Sequence, residues 1–284
     1  MTKNQSLISK HAKSFNWAGF FLSKKTFTKC SILYDFCRSI DDIVDSSEAL
    51  GIKEKKFVEF KSNFMDGSSS NIVIKNICDL LKQENISKKI VEDLFDGIES
   101  DLKPELVINN KKDLLVYSYR VAGTVGLMMA KILKVKDVYA LKGAIDLGIA
   151  MQLTNIARDV VEDKKRNRSY VRHDLNSIKE IIKIADTFYS SAFVAIKSIP
   201  VISRFSIIVA RRVYKKIGDK ILKIENIEKY NNVGKIYVSN IGKIIETLLS
   251  FYDFIELFFV SSKKHLKENE HAIINKEINL DERI

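Results

Sequence analysis

Proline is nearly absent from this chain. Two prolines, Pro104 and Pro200, and eleven glycines in 284 residues cannot punctuate the many short strands and tight turns of an all-β fold. A helical protein is the economical reading. Long apolar runs are also missing: the nearest approach, Leu248 to Val260, is interrupted by Asp253 and Glu256, which predicts no membrane-spanning helix. The opening stretch MTKNQSLISKHAKS has no apolar core of a secretory signal. Three cysteines, an odd number with no CxxC pair, point to free thiols in a reducing, cytoplasmic setting. The four histidines, His11, His173, His265 and His271, lie apart, and with no HExxH or Cys/His spacing zinc is not expected. A glycine-rich phosphate loop, a GxSxG elbow and a GxGxxG fingerprint are all lacking. Any bound phosphate should therefore be held by a metal and not by backbone amides.

What is present is apolar mass and positive charge. A hydrophobic content of 46% can build a large core, and one domain is expected over residues 1–284, its body at about 11–262 and a charged, partly frayed tail at 263–284. The net charge of +11 suits an anionic partner such as phosphate groups, lipid headgroups or nucleic acid. Nucleic acid is the least suited of these, because lysines and arginines alternate with acids and form no contiguous stripe.

Apolar periodicity predicts helices at about 26–45, 52–65, 71–83, 87–101, 113–133, 137–164, 175–197, 201–227 and 234–262. The second to fourth read as scaffold. Within 113–133, Gly123 and Gly126 each cost a helix about 1 kcal/mol relative to alanine. That cost implies either close helix packing or a slot for a long apolar ligand.

Two of these helices carry charge that packing does not explain. In residues 155–163, NIARDVVED, the polar Asn155, Asp159 and Asp163 recur every fourth residue, so successive members turn only about 40° around the axis. They form one stripe on an otherwise apolar helix. Residues 38–45, RSIDDIVD, repeat the device with Asp41 and Asp45, and Tyr34 and Arg38 share their face. A lone acidic pair is ordinarily a solvated surface, and two ionised carboxylates one turn apart repel. Two such pairs, each behind an apolar run and each beside an arginine, reverse that reading. Magnesium takes one or two carboxylates and completes its shell with water and substrate phosphate, while Arg38, Arg158 and Lys13 supply charge-assisted bonds to the same phosphates.

With these residues in view, the sequence resembles the squalene/phytoene synthase family of head-to-head prenyl transferases, and within it the bacterial phytoene synthases. The matching segments are Ser14–Phe15, residues 34–45 (YDFCRSIDDIVD), 117–130 (YSYRVAGTVGLMMA), 147–163 (LGIAMQLTNIARDVVED) and 213–218 (VYKKIG). The resemblance implies an all-α isoprenoid-synthase fold with helices around a central apolar cavity. It implies that Asp41, Asp45, Asn155, Asp159 and Asp163 hold magnesium, with manganese as the alternative, and that Arg38, Arg158 and Asn155 lie near the diphosphates. Tyr117 matches a tyrosine at the reacting carbons; Tyr34, Tyr214, Ser14 and Lys13 match weaker diphosphate contacts. Where relatives often carry an arginine before the final helix, this chain has Lys235, so that contact is a lysine or absent. The implied reaction joins two geranylgeranyl diphosphates into phytoene without NADPH, the first step of carotenoid synthesis. The C15 condensation to dehydrosqualene, squalene or presqualene diphosphate is the rival, and a non-catalytic scaffold the reading of another class. Greasy substrates and a basic surface imply peripheral contact with the inner face of the membrane, and a downstream carotenoid desaturase is the implied protein partner.

Overall fold

The computed structural model describes residues 13–67, 70–260 and 265–284. Its helices are α1 (Lys13–Gly19), α2 (Lys24–Val44), α3 (Leu50–Asp66), α4 (Ile72–Glu84), α5 (Lys88–Glu99), α6 (Lys111–Ser118), α7 (Thr124–Ile132), α8 (Val138–Lys164), α9 (Leu175–Ala195), α10 (Val201–Leu222), α11 (Ile227–Asn232), α12 (Asn240–Phe259) and α13 (Glu268–Asn275). A π-helical turn over Tyr119–Gly123 joins α6 to α7, so the expected long helix is one rod with a local widening. The two-residue strands β1 (Leu106–Val107) and β2 (Arg168–Ser169) pair in parallel.

Helix α8 is the axis, with α7, α9 and α10 packed along it. Asp137 starts it by accepting from Ala140 N at 2.8 Å, a side-chain cap that satisfies one of the open donors of the first turn. Helix α2 is anchored on the opposite wall by its apolar stripe Leu33, Phe36, Ile40 and Val44. Phe36 sits among Phe60, Phe64 and Phe95, with ring centroids 5.5 to 5.9 Å apart, so the helices read as scaffold hold the first acidic helix in place.

The glycine-rich seam between α7 and α8 brings two backbones together. A Cβ on Gly126 would lie 2.2 Å from the Ala144 carbonyl oxygen, and one on Gly148 would lie 2.2 Å from that of Ala122. Of the two glycines singled out in the sequence, Gly126 sits at this close contact and also borders the central cavity, whereas a Cβ on Gly123 would meet Tyr119 and Ile145 at 3.0 and 3.2 Å, so close helix packing calls for both.

Three expectations need correction. The helix predicted over 201–227 ends at Leu222, and the one predicted over 234–262 begins at Asn240. Between them Asn226 caps α11, Gly234 takes a positive φ of 67° and Ser239 caps α12; side-chain caps outweigh periodicity there. The tail does not fray over residues 265–284: Ile274, Ile278 and Leu280 are buried, and Arg283 binds both oxygens of Asp93 at 2.8 and 3.0 Å. Nor do the histidines all lie apart. His265 and His271 place Nε2 2.7 Å from either oxygen of the buried Asp146, and Ser191 donates to the same carboxylate at 2.6 Å. Burial alone would raise the Asp146 carboxyl, but the two imidazoles bring it below its ordinary value.

Gly148→Ala is expected to destabilise the fold by about 1–3 kcal/mol through overpacking. Gly51→Ala, where an added Cβ meets nothing within 4 Å, should cost nothing; denaturant midpoints compare the two. Asp146→Asn leaves one imidazole N–H without its carboxylate partner, at about 1–3 kcal/mol, and should speed tryptic cleavage within residues 265–284 before the body of the protein is attacked.

Candidate active site

The acidic ends of α2 and α8 face one polar mouth of about 580 Å³, lined by Asp41, Asp45, Asp159 and Asp163 together with Asn155, Arg38, Arg158 and Tyr117. Asp45 closes α2, its backbone N–H donating to the Asp41 carbonyl at 2.8 Å. The loop after α8 folds back over it: Arg166 and Arg168 each donate to one oxygen of Asp45 at 3.0 Å. The β1–β2 pair fixes this loop, matching Arg168 to Leu106 in register, so Arg168 also reaches the Asp101 carbonyl at 3.3 Å.

Two of the four carboxyls are strongly perturbed. Asp41 is pushed up to about 7 by desolvation and then by Asp45, and Asp163 is pushed up to about 7 by burial and then by Asp159. Asp41 keeps contact with the water of the mouth, yet protein crowds the rest of its surroundings. Each wall thus carries a carboxyl that resists ionisation beside another carboxyl.

The remaining residues divide between the mouth and a chamber below it. Arg38 pairs with Asp42 at 2.5 Å, while its Nε is buried without a partner. Arg158 folds onto the neighbouring Asp159, with Nε at 2.8 Å and a second contact through Nη2. Lys235 stands 3.8 Å from Asp159 and 3.3 Å from Glu162, at the edge of the mouth. Tyr34 and Tyr214 line the chamber beside Asp41 and Asn155. The side-chain contacts expected of Lys13 and Ser14 lie outside the described residues.

Sequence reading missed a cluster around Tyr117. The Tyr117 hydroxyl lies 3.1 Å from both oxygens of Asp101 and 3.0 Å from the Tyr170 hydroxyl. Tyr170 donates to Asp101 at 2.9 Å, and its ring stacks on Tyr117 at 4.8 Å. Burial and then Asp101 hold the Tyr117 phenol well above its ordinary value. Arg166, Arg168 and Tyr170 were visible only as a basic loop, and Asp101, the last residue of the helix predicted over 87–101, lies instead in a short 3₁₀ turn after α5.

Asp41, Val121, Gln152 and Asn155 border both the mouth and the chamber. The chamber, about 310 Å³, runs between α2, α7, α8, α9 and α10, past Met129 and Met151 to Leu133, Val135, Ile196 and Ile199. Its walls are almost wholly apolar. The residues present fit a divalent cation: the Asn155 side-chain oxygen is buried without a hydrogen-bond partner, one helical turn from Asp159, and a cation would relieve the repulsion within each acidic pair. Asp146, His265 and His271 form the one cluster of three close His, Cys, Asp or Glu donors among the described residues, and it borders neither cavity.

Comparison with known proteins gives this geometry a class. The chain superposes on a dehydrosqualene synthase crystallised with a ligand, at a TM-score of 0.71 and 23% identity over 88% of this chain and 95% of that one. It also matches the squalene synthase HpnC from Alicyclobacillus acidocaldarius, at 0.60 and 18% over 76% and 89%. The fold is the all-α isoprenoid-synthase fold. In sequence, it is 30% identical over 243 residues to a 15-cis-phytoene synthase of Pantoea ananas, covering 74% of this chain and 78% of that protein. It is 27% identical to the chloroplastic phytoene synthase 1 of Arabidopsis thaliana, over 86% and 64%. The protein is a prenyltransferase. The squalene/phytoene synthase family model matches residues 8–175, and the chain belongs to that family, whose members act on prenyl diphosphates with a divalent metal.

The raised carboxyls predict a pH dependence with a definite sign. A carboxyl whose folded value lies above its unfolded value of 3.8 contributes stability that is complete below 3.8 and is lost as pH rises through about 7. In chelator, thermal stability should therefore fall between about pH 4 and about pH 7, and millimolar magnesium should restore it at the upper end. A midpoint that ignores both pH and cation would contradict this arrangement.

Proposed function

We propose that this protein condenses two geranylgeranyl diphosphates head to head, through a cyclopropyl (prephytoene) diphosphate, to phytoene. The observation that carries the reading is the continuity of a polar, carboxylate-lined mouth with a largely apolar chamber through the shared residues Asp41, Val121, Gln152 and Asn155. The phytoene synthase names of the sequence relatives support C20 substrates over the C15 rival.

In this reading Asp41 and Asp45 on one wall, and Asn155, Asp159 and Asp163 on the other, hold magnesium. When bound, the metal neutralises the diphosphate charge and so eases its departure. Arg38 and Arg158 each sit beside an acidic partner that an incoming diphosphate can replace, and Lys235 serves as the rim cation. Tyr34 and Tyr214 stand where tail meets headgroup. Tyr117, held by Asp101 and Tyr170, positions an aromatic face and a hydroxyl at the reacting carbons, where π faces stabilise a carbocation by about 0.5–2 kcal/mol. The apolar walls keep water from that cation. The first substrate ionises and releases its diphosphate, the double bond of the second attacks the allylic cation, and loss of a proton from the resulting tertiary cation closes the cyclopropane. A second ionisation, ring opening and proton loss then leave a conjugated triene. Because the ending is proton loss, no reductant is consumed. The product is an apolar hydrocarbon suited to peripheral membrane exchange and to a desaturase.

The test is a product assay with C20 and C15 diphosphates, with and without NADPH. Phytoene from the C20 substrate alone is expected; dehydrosqualene, squalene or presqualene diphosphate as the preferred product would favour the rival. Asp41→Ala and Asp159→Ala should each lower turnover by more than the roughly tenfold to hundredfold typical of a residue that only supports a metal ligand. Helicity should be unchanged, and retained activity in either variant would remove the metal assignment.

A further inference from the structure

Helix α12 is built inside out. Its polar residues Lys243, Glu246, Ser250 and Asp253 are buried, while Ile241, Ile245, Leu248, Tyr252, Ile255 and Phe259 face outward, with Leu248 at 63%, Tyr252 at 71% and Phe259 at 84% exposure. The register is locked from beneath. Arg212 donates to Glu246 at 3.0 Å and to Asp253 at 2.7 Å, and Lys216 stands 3.4 Å from Glu246. Rotating the helix to hide its apolar side would strand these buried carboxylates.

We propose that this outward face is a lipid-docking surface, which sets the apolar end of the chamber against a bilayer while the aspartates remain in water. Three observations favour lipid over a facing helix. First, the six outward positions recur at heptad spacing, but exposed Ile244, Leu249, Phe251 and Phe258 widen that stripe to about half the circumference of α12 at 3.6 residues per turn, with the exposed Glu256 as its one charged interruption. A helix–helix seam uses a narrower stripe, two positions in seven, whereas an interfacial helix immersed in acyl chains uses a broad one. Second, the face continues into an aromatic ridge: Phe21 lies 5.0 Å from Phe205, and Phe205 lies 4.6 Å from Phe251. Exposed Phe20 and Ile202 flank it at 77% and 75%, and exposed Lys24 and Lys25 follow, cations placed to meet anionic headgroups. Third, the ridge adjoins the chamber, because Gly19, Leu22, Ile199 and Ile207 line it next to Phe20, Phe21 and Val201. Tyr214, nine residues along α10 from Phe205, lies at the other end beside Asp41. The two ends of the chamber therefore face different media. Resting on the prenyl diphosphate reading above, this orientation lets tails and hydrocarbon product exchange on the lipid side without crossing the charged mouth.

The experiment uses the full chain, without substrate, and vesicles of phosphatidylglycerol and phosphatidylethanolamine. Wild type should co-sediment with them, and Leu248→Glu combined with Ile255→Glu should weaken that binding at least tenfold. Val58→Glu combined with Ile72→Glu, exposed apolar sites at 61% and 64% on α3 and α4, should bind as wild type does. A polarity-sensitive dye on Tyr252→Cys should shift to the blue on adding vesicles, and one on Val58→Cys should not, which reads the docked face without removing it. Absence of wild-type binding overturns the proposal. So does a wild-type dimer by light scattering that the α12 variant dissolves while vesicles bind neither, since the face then belongs to a second copy. Because docking is read without turnover, an inactive protein that still binds vesicles refutes the reaction and not the surface.

Discussion

Like charges at the ends of two apolar helices set the terms for the rest of this molecule. Asp41 with Asp45, and Asp159 with Asp163, are brought to opposite sides of one mouth by helices whose other faces are core. Left alone, that arrangement would push the helix ends apart. The loop after α8 counters it from within the chain, placing Arg166 and Arg168 on Asp45, while Arg158 closes on Asp159. What remains is a partly neutralised site with two carboxyls still held far above their ordinary value. Under the proposed reaction such a site would gain more from a cation and a diphosphate together than from either alone, the cation taking the carboxylates and the phosphate the released guanidinium groups.

The chamber beneath depends on a different economy. Small residues at 121–130 and 143–148 let α7 and α8 approach so closely that main-chain carbonyls take the place of side chains. The π-helical turn over Tyr119–Gly123 sits at the start of this seam, just after Tyr117. Tyr117, in the α-helix before it, faces the mouth, whereas Tyr119, which opens the wider turn two residues on and so points to the other side, is fully buried and donates to Asp93 at 3.1 Å. Single extra turns of this kind recur at functional positions in helices.

The amino-acid sequence made the acidic stripes legible because a helical period projects residues four apart onto one line, whatever the tertiary context. The same property made the core helices legible. Asp101, Arg168 and Tyr170 were not, since their partnership with Tyr117 and Asp45 depends on a two-residue strand pair and on a turn, neither of which has a period to detect. His265 and His271 share Asp146 across more than a hundred residues of chain, a distance that spacing rules do not reach. The carboxyl-terminal segment looked like a solvated tail because its charges outnumber its apolar residues. It packs because Ile274, Ile278 and Leu280 fall on one side and the charges find partners on α5 and α6, including Lys89 with Glu282 and Lys111 with Glu270. Helix α12 shows the opposite failure: its apolar residues were visible at once, but which side they would face was not, since that was decided by Arg212 and Lys216 on α10.

Carbonyl groups have no rotamers, and this limits how the chamber can change. Where Ala122 and Ala144 approach Gly148 and Gly126, the wall is main chain, and a larger residue at either glycine collides with it. Under the proposed reaction, adjusting the length of hydrocarbon held there would fall to Leu133, Val135, Ile196 and Ile199, which line the chamber away from the aspartates. Drift in substrate size within such a lineage would be written in those few floor positions, and the seam would be passed on unaltered.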